Sequence, residues 1–492
     1  MNNNLLYIVV LFFCTSISSQ EIFKKTEATN YQKNSAESPK KFEQFRLNTS
    51  LLLKILKNTS QRELKEKSPV IISLPNGSEG FELFEIFESQ IFSIALSKKY
   101  PNIKSYIGKS SESTSTVRFS YSPSQGFNAA ISNSKDATIL IKPSDLKNEK
   151  YRSYSRKDLS EESNFDCNTM DKITKSEYKS SSGIRTISND GFLRKYRLAV
   201  ATTVEYSNYF LDGTEVDDSE RKTKVLAAIN ASLTRINGIF ERDFGITMEL
   251  VSNTDSVIFL NQSSDPFGGD FNNELQNTLD STIGDINYDV GHLFAYEGSI
   301  YGNAGCIACV CTTGSKGSGF TVHSAPSSDH FNMIASHEFG HQFGGLHVQS
   351  SSICRSAYGL QEVEPGSGSS IMGYAGICSP NVQENSDDYF NFVDIRDVIQ
   401  WTRSDSSCAE LIATGNTDPV VNAGNDYIIP KSTPFILEGS GSDSDTEDVL
   451  SFCWEENDPE DPYTSNYPVS TQVYGPLFRS RIPISTPIRY MP

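Results

Sequence analysis

Apolar and polar positions alternate in short runs over the first third of the chain. Pro69–Leu74 (PVIISL), Glu82–Phe87, Thr116–Tyr121 (TVRFSY) and Ala137–Ile141 are separated by Pro, Gly, Asn and Ser. They predict a mainly β unit with some helix from Phe45 to about Pro143. Residues 21–44 ahead of it are polar and Lys/Glu-rich, a flexible lead-in. Residues 144–192 after it lose the alternation and turn Ser/Lys/Glu-rich, which reads as an exposed linker. Order resumes with a strand candidate at Arg194–Thr203. Arg221–Phe244 then sets Val225, Ile229, Leu233, Ile236 and Phe240 at helical spacing. Strands are expected at Ile246–Val251, Val257–Leu260 and Tyr288–Tyr296, and a helix at Asn273–Ile283. That βαββαβ order implies a mixed α/β domain. From Val420 to Val449, short β runs punctuated by Gly, Pro and Asp suggest a β-sandwich, read as a partial one because the chain reaches Pro492 soon afterwards.

Composition and charge narrow the setting. At roughly 150 residues per domain, 492 residues suggest about three domains. A hydrophobic fraction of 37% lies well above that of a disordered acidic chain, so each domain can have a core. The net charge of −18 argues against a nucleic-acid partner, since polyphosphate would be repelled. Leu5–Cys14 (LLYIVVLFFC) is an apolar run followed by small and polar residues. It has the length and flank of a secretory signal peptide over 1–19, although Met1–Asn4 carries no Lys or Arg. The run is too short for a membrane span, and no other run is longer. The mature chain is expected to be secreted, extracellular and soluble. Its oligomeric state has no signature, and a monomer is assumed. In an oxidising compartment the odd count of nine cysteines calls for explanation.

The strongest chemical signal is His337-Glu338-Phe339-Gly340-His341-Gln342-Phe343-Gly344-Gly345-Leu346-His347. On a helix, His337 and His341 share one face a turn apart and reach one metal together. Glu338 lies beside them, placed for a metal-bound water rather than for the metal. Gly344 can take a left-handed conformation that ends the helix and lets His347 return as a third ligand. Three nitrogens with one open position make a catalytic zinc site rather than a closed structural one. The full pattern has chance odds of roughly a few in a million in a chain of this composition.

This motif resembles HExxHxxGxxH of the metzincin zinc endopeptidases. Ser370-Ile371-Met372-Gly373-Tyr374 is similar to their Met-turn, whose methionine underlies the zinc histidines. With the unit before it, the chain resembles bacterial reprolysin-like metalloproteases made with an N-terminal propeptide. The resemblance implies an α/β (α+β) metzincin catalytic domain with a mixed sheet and an active-site helix, a mainly β propeptide domain before it, and a partial β-sandwich after it. The expected organisation is a signal peptide at 1–19, a propeptide domain at 20–143, a linker with a cysteine switch and processing site at 144–192, a zinc protease domain at 193–412 and a PKD-like or Ig-like module at 417–492. It also implies one catalytic Zn²⁺ on His337, His341 and His347, protein or peptide substrates, and Glu338 as the base that takes the water's proton and returns it to the leaving amine. Tyr374 is either a resting zinc ligand and oxyanion donor or a structural tyrosine in the turn. Val348 departs from the Asp usual in reprolysins, and Ser-Ile-Met-x-Tyr is the form seen in astacins and serralysins. An extracellular binding protein built on an inactive metzincin scaffold is the alternative from another class, and a zinc hydrolase acting on another bond is a third. Retention of Glu338 and all three histidines favours the endopeptidase.

Weaker features remain. Cys167 stands alone in the linker, and in related zymogens such a thiolate sits on the zinc and excludes the water. Processing is expected between Lys172 and Lys195, with Lys179, Arg185 and Arg194-Lys195 as basic candidates. Cys306, Cys309, Cys311, Cys354, Cys378 and Cys408 suggest three disulfides, with Cys354–Cys378 the preferred pair. Cys14 leaves with the signal peptide, and Cys453 falls in the last module. Ser299–Ala308 is a candidate edge strand for an extended substrate, though Gly302 and Gly305 equally suit a loop. His292 is expected in the core, His323 and His330 in solvent. Asp443, Asp445 and Asp448 are candidate Ca²⁺ ligands in an acidic turn.

Overall fold

The computed structural model describes residues 22–27, 39–62, 68–77, 80–133, 137–160, 165–169, 190–351, 353–354, 361–404, 407–446, 448–459, 469, 472–473 and 475–491. The signal-peptide segment with Cys14, and the sites Lys172, Lys179 and Arg185, lie outside these residues.

The N-terminal unit is one antiparallel sheet of nine strands: β1 (Phe23–Thr26), β2 (Glu43–Leu47), β3 (Ile71–Pro75), β4 (Phe81–Glu88), β5 (Lys104–Ser110), β6 (Thr116–Ser122), β7 (Gly126–Ser132), β8 (Ile139–Asp145) and β9 (Lys150–Ser155). Their order is β1-β2-β9-β8-β7-β6-β5-β4-β3. Helix α1 (Thr49–Leu56) and the short α2 (Ile94–Lys99) accompany it. Two expectations are corrected here. The lead-in is not wholly flexible, because Ile22 and Phe23 are buried and β1 pairs with β2. The first part of the linker is also β9, which pairs with both β2 and β8; Tyr151 and Tyr154 are apolar anchors that a Ser/Lys-rich composition hides.

The second unit has a mixed sheet in the order β10-β14-β15-β13-β11-β12, formed by β10 (Phe165–Cys167), β11 (Phe192–Thr202), β12 (Ile246–Leu250), β13 (Val290–Ala295), β14 (Ile300–Asn303) and β15 (Gly319–Val322). Strand β16 (Glu410–Ala413) pairs antiparallel with the start of β11. Four helices pack on it, α3 (Val204–Tyr209), α4 (Asp218–Phe244), α5 (Phe271–Thr282) and α6 (Asp329–Phe343), and α7 (Phe392–Thr402) packs against α4 and α6. The predicted α4 stripe is buried, with Val225, Ile229, Leu233, Ile236 and Phe240 all at 2% exposure or less. Val257–Leu260 is not a strand: Thr254–Val257 is a 3₁₀ turn, followed by a single bridge from Ile258 to Thr202. Arg194 and Lys195 sit inside β11, with Arg194 buried, so cleavage there would cut a central strand.

The two units share a core. Ile91, Phe92, Leu96 and Tyr100 pack with Leu250, Ile236 and Phe240, and Phe92 bridges to Leu250 at the free edge of β12. Arg62 and Arg118 both pair with Glu241 on α4.

The last segment forms two separate two-stranded ladders, 420–422 with 440–442 and 435–438 with 488–491. Val420, Val421 and Ile428 are exposed, so the expected sandwich core is not formed among the described residues; strands of three or four residues bury little surface. Asp443, Asp445 and Asp448 do not converge on a metal-holding group among the described residues. Asp448 instead pairs with Lys109, and Asp443 accepts from the Asp445 amide.

Candidate metal centre

Helix α6 carries the centre. Ser328 caps its N-terminus by accepting from the Phe331 amide, and Gly344 ends it at φ 113°. Gly344 is required twice over, because a Cβ there would also lie 2.3 Å from the Trp401 ring. The chain turns back at this point, and the Gly345 amide donates to the Gly340 carbonyl. His347 thereby returns to the face that displays His337 and His341.

The Nε2 atoms of His337, His341 and His347 lie 3.1–3.2 Å from one another. His337 Nδ1 is 2.9 Å from the Ile371 carbonyl oxygen, and His341 Nδ1 is 2.9 Å from that of Gly345. A carbonyl only accepts, so both rings carry their proton on Nδ1 and turn an Nε2 lone pair inward. Lone pairs this close repel unless a cation lies among them. The spacing suits zinc, whose N–Zn distance of about 2.0–2.1 Å gives a tetrahedral edge of roughly 3.3 Å. Cys167 Sγ lies 3.7 Å from His341 Nε2, and these four residues form a group able to hold a metal ion. Burial and the nearby Glu338 carboxylate push the Cys167 thiol above its ordinary range, so it can ligate as a thiolate only beside a cation. The donor set fits zinc.

Met372 is fully buried beneath the helix. A Cβ on Gly340 would come 2.7 Å from its Sδ, so the glycine is what admits it. Tyr374 Oη is 3.0 Å from His347 Nε2. Val348, in place of the usual Asp, is fully buried in the core, and its carbonyl accepts from the Glu364 amide.

Glu338 is fully buried and faces the edge strand. Its Oε2 accepts from Thr169 Oγ1 at 3.0 Å, while Oε1 has no hydrogen-bond partner. Burial pushes this carboxyl up to about 8, against the hydrogen bond from Thr169. Gly302 makes room for it, because a Cβ there would lie 2.4 Å from Oε1. The edge segment combines both alternatives: Gly302 is in β14, whereas Gly305, at φ 73°, turns the chain after it. On its outer side β14 pairs in parallel with β10, in the register Phe165↔Ile300, Asp166↔Tyr301 and Cys167↔Gly302.

Residues 193–399 match the family model of the Metallo-peptidase family M12B, Reprolysin-like. The match supports a reprolysin-like zinc metallopeptidase acting on protein or peptide substrates. No curated protein sequence matches the chain. The metallopeptidase segment takes in β11 through most of α7, including all three histidines, Glu338 and the Met-turn, but not Cys167.

Three disulfides brace the second unit: Cys306–Cys309, Cys311–Cys408 and the expected Cys354–Cys378. Cys167 and Cys453 are free thiols. His292 is buried as expected, held by Gln342 and Thr321 at 2.9 Å each. His323 is not in solvent: it is fully buried against Phe331 and accepts from the Ala325 amide, because the turn before α6 folds inward. His330 is half-buried. Sequence reading missed Thr169 and the carbonyls of Ile371 and Gly345. None carries a local signal, since a backbone carbonyl or a lone threonine gains its role only from what packs against it. No helix among the described residues is long and apolar enough to cross a membrane.

Proposed function

We propose that the chain is a secreted zinc endopeptidase made as a zymogen, with Glu338 as general base. The observation that carries this reading is the convergence of three imidazole Nε2 atoms with a buried carboxylate beside them. A zinc ion held by His337, His341 and His347 would acidify a water and polarise the scissile carbonyl. Glu338 takes the proton from that water and delivers it to the leaving amine. Tyr374, next to His347, donates to the oxyanion as charge develops. Met372 holds the floor beneath the ligands. The edge of β14 taken by Phe165–Cys167 receives an extended substrate once that segment leaves. In the precursor, Cys167 would join the three histidines in holding the metal, and the N-terminal sheet through β9 is the propeptide. Three disulfides support an extracellular setting.

The test is Glu338→Gln in the zinc-loaded protein, assayed on casein with and without a chelator. Peptide hydrolysis is expected to fall by about 10²–10⁴ with zinc content unchanged. Activity within a few-fold of wild type, or activity indifferent to chelation, overturns the assignment.

A further inference from the structure

The segment that brings Cys167 to the histidines makes a second contact, on the base itself. Thr169 is 5% exposed, and its hydroxyl lies among Glu338, the Ala304 amide and the Cys167 thiol. It accepts from the Ala304 backbone amide at 2.8 Å and donates to Glu338 Oε2 at 3.0 Å. One hydroxyl thus links the end of the edge strand to the carboxylate. The backbone around it is pinned by two further bonds: the Asn168 amide donates to the Gly302 carbonyl at 2.9 Å, and Asn303 Nδ2 donates to the Asn168 carbonyl at 2.9 Å. Thr169 is therefore held in register by the same strand pairing that sets Cys167 opposite Gly302.

We propose that Thr169 is a second latch, which helps keep the precursor latent by occupying Oε2 of Glu338 while Cys167 blocks the metal position. The inference rests on the endopeptidase reading and adds to it the regulation of the same site. A thiol at the metal denies the water its place. A hydroxyl donating to Oε2 takes up an acceptor site of the base, and it also takes the Ala304 N–H at the end of the edge strand. The two blocks act at different points, the metal position and the carboxylate, so each lowers residual hydrolysis by its own factor and loss of either alone releases part of the latency. No covalent step is involved; release requires only that residues 165–169 leave the edge of β14.

The test uses the full, uncleaved, zinc-loaded chain in four forms: wild type, Thr169→Val, which keeps the shape and loses the hydroxyl, Thr169→Ser, which keeps the hydroxyl, and Cys167→Ala. Two quantities are read, hydrolysis of a fluorogenic peptide with chain integrity checked on a gel, and amide hydrogen exchange at Ala304 by mass spectrometry. Thr169→Val is expected to raise residual hydrolysis and Ala304 exchange at least tenfold, with Thr169→Ser near wild type in both. A Thr169→Val chain that is as latent as wild type, or as protected at Ala304, overturns the second latch. If Cys167→Ala then hydrolyses the peptide, the endopeptidase reading stands without it. Failure of every form to cleave, a Cys167→Ala/Thr169→Val double variant included, overturns both.

Discussion

Arg156 Nε lies 2.5 Å from Asp329 Oδ2, and both side chains are buried. This pair joins the N-terminal unit, just past β9, to the first turn of the helix that carries His337 and His341. Arg235 of α4 holds the other oxygen of Asp329 at 3.0 Å, and the same arginine reaches Asp388. Replacing Arg156 with Met is expected to weaken docking of the N-terminal unit by less than the ~3–5 kcal/mol of a fully broken buried pair, because Arg235 remains. A lower denaturant midpoint and faster proteolytic release of residues before 190 are the readouts. The neighbouring guanidinium groups hold the Asp329 carboxyl below the usual carboxylate range against the cost of burial. A lowered folded value means that its contribution is complete above the unfolded pKa of about 3.9 and is lost as pH falls below it. Docking should therefore loosen in acid, and less steeply in an Asp329→Asn chain.

Cys167→Ala removes the sulfur that lies 3.7 Å from His341 Nε2. Under the zymogen reading, the uncleaved chain should gain measurable hydrolysis of a fluorogenic peptide, at least tenfold over wild type. An equally latent precursor would assign the thiol an incidental place.

Tyr374→Phe tests the hydroxyl beside His347. If Tyr374 donates to the oxyanion, kcat should fall roughly a hundredfold with KM and zinc content little changed. An unchanged kcat would make Tyr374 a structural residue of the turn.

Gly344→Ala places a Cβ at φ 113° and 2.3 Å from Trp401. Backbone strain alone costs of order 1–3 kcal/mol, before any movement of the ring. The thermal midpoint should drop, and zinc affinity should drop with it, since the turn that returns His347 is the one disturbed. Equilibrium dialysis with zinc separates this from simple destabilisation, which would leave affinity unchanged at a temperature where the variant is folded.

The legible parts of this protein are those that depend on near neighbours in the chain. The face shared by His337 and His341, the stop at Gly344 and the return of His347 follow from helix period and glycine backbone freedom within eleven residues. The buried stripe of α4 and the strands of the N-terminal sheet are equally local patterns. Where sequence reading went astray, the deciding contact came from elsewhere. Tyr151 reads as linker until β2 and β8 pair with its strand, and His323 reads as solvent-exposed until the turn before α6 folds in against Phe331. The site divides in the same way. The sequence by itself determined which residues can hold the metal and which carboxylate stands beside it. Only the tertiary structure decided what aims and what covers them: the Ile371 carbonyl behind His337, Arg156 on Asp329, and Cys167 and Thr169 on a strand pairing that spans more than a hundred residues of chain. Register between distant strands comes from packing and backbone hydrogen bonding across the sheet, which no short-range periodicity encodes.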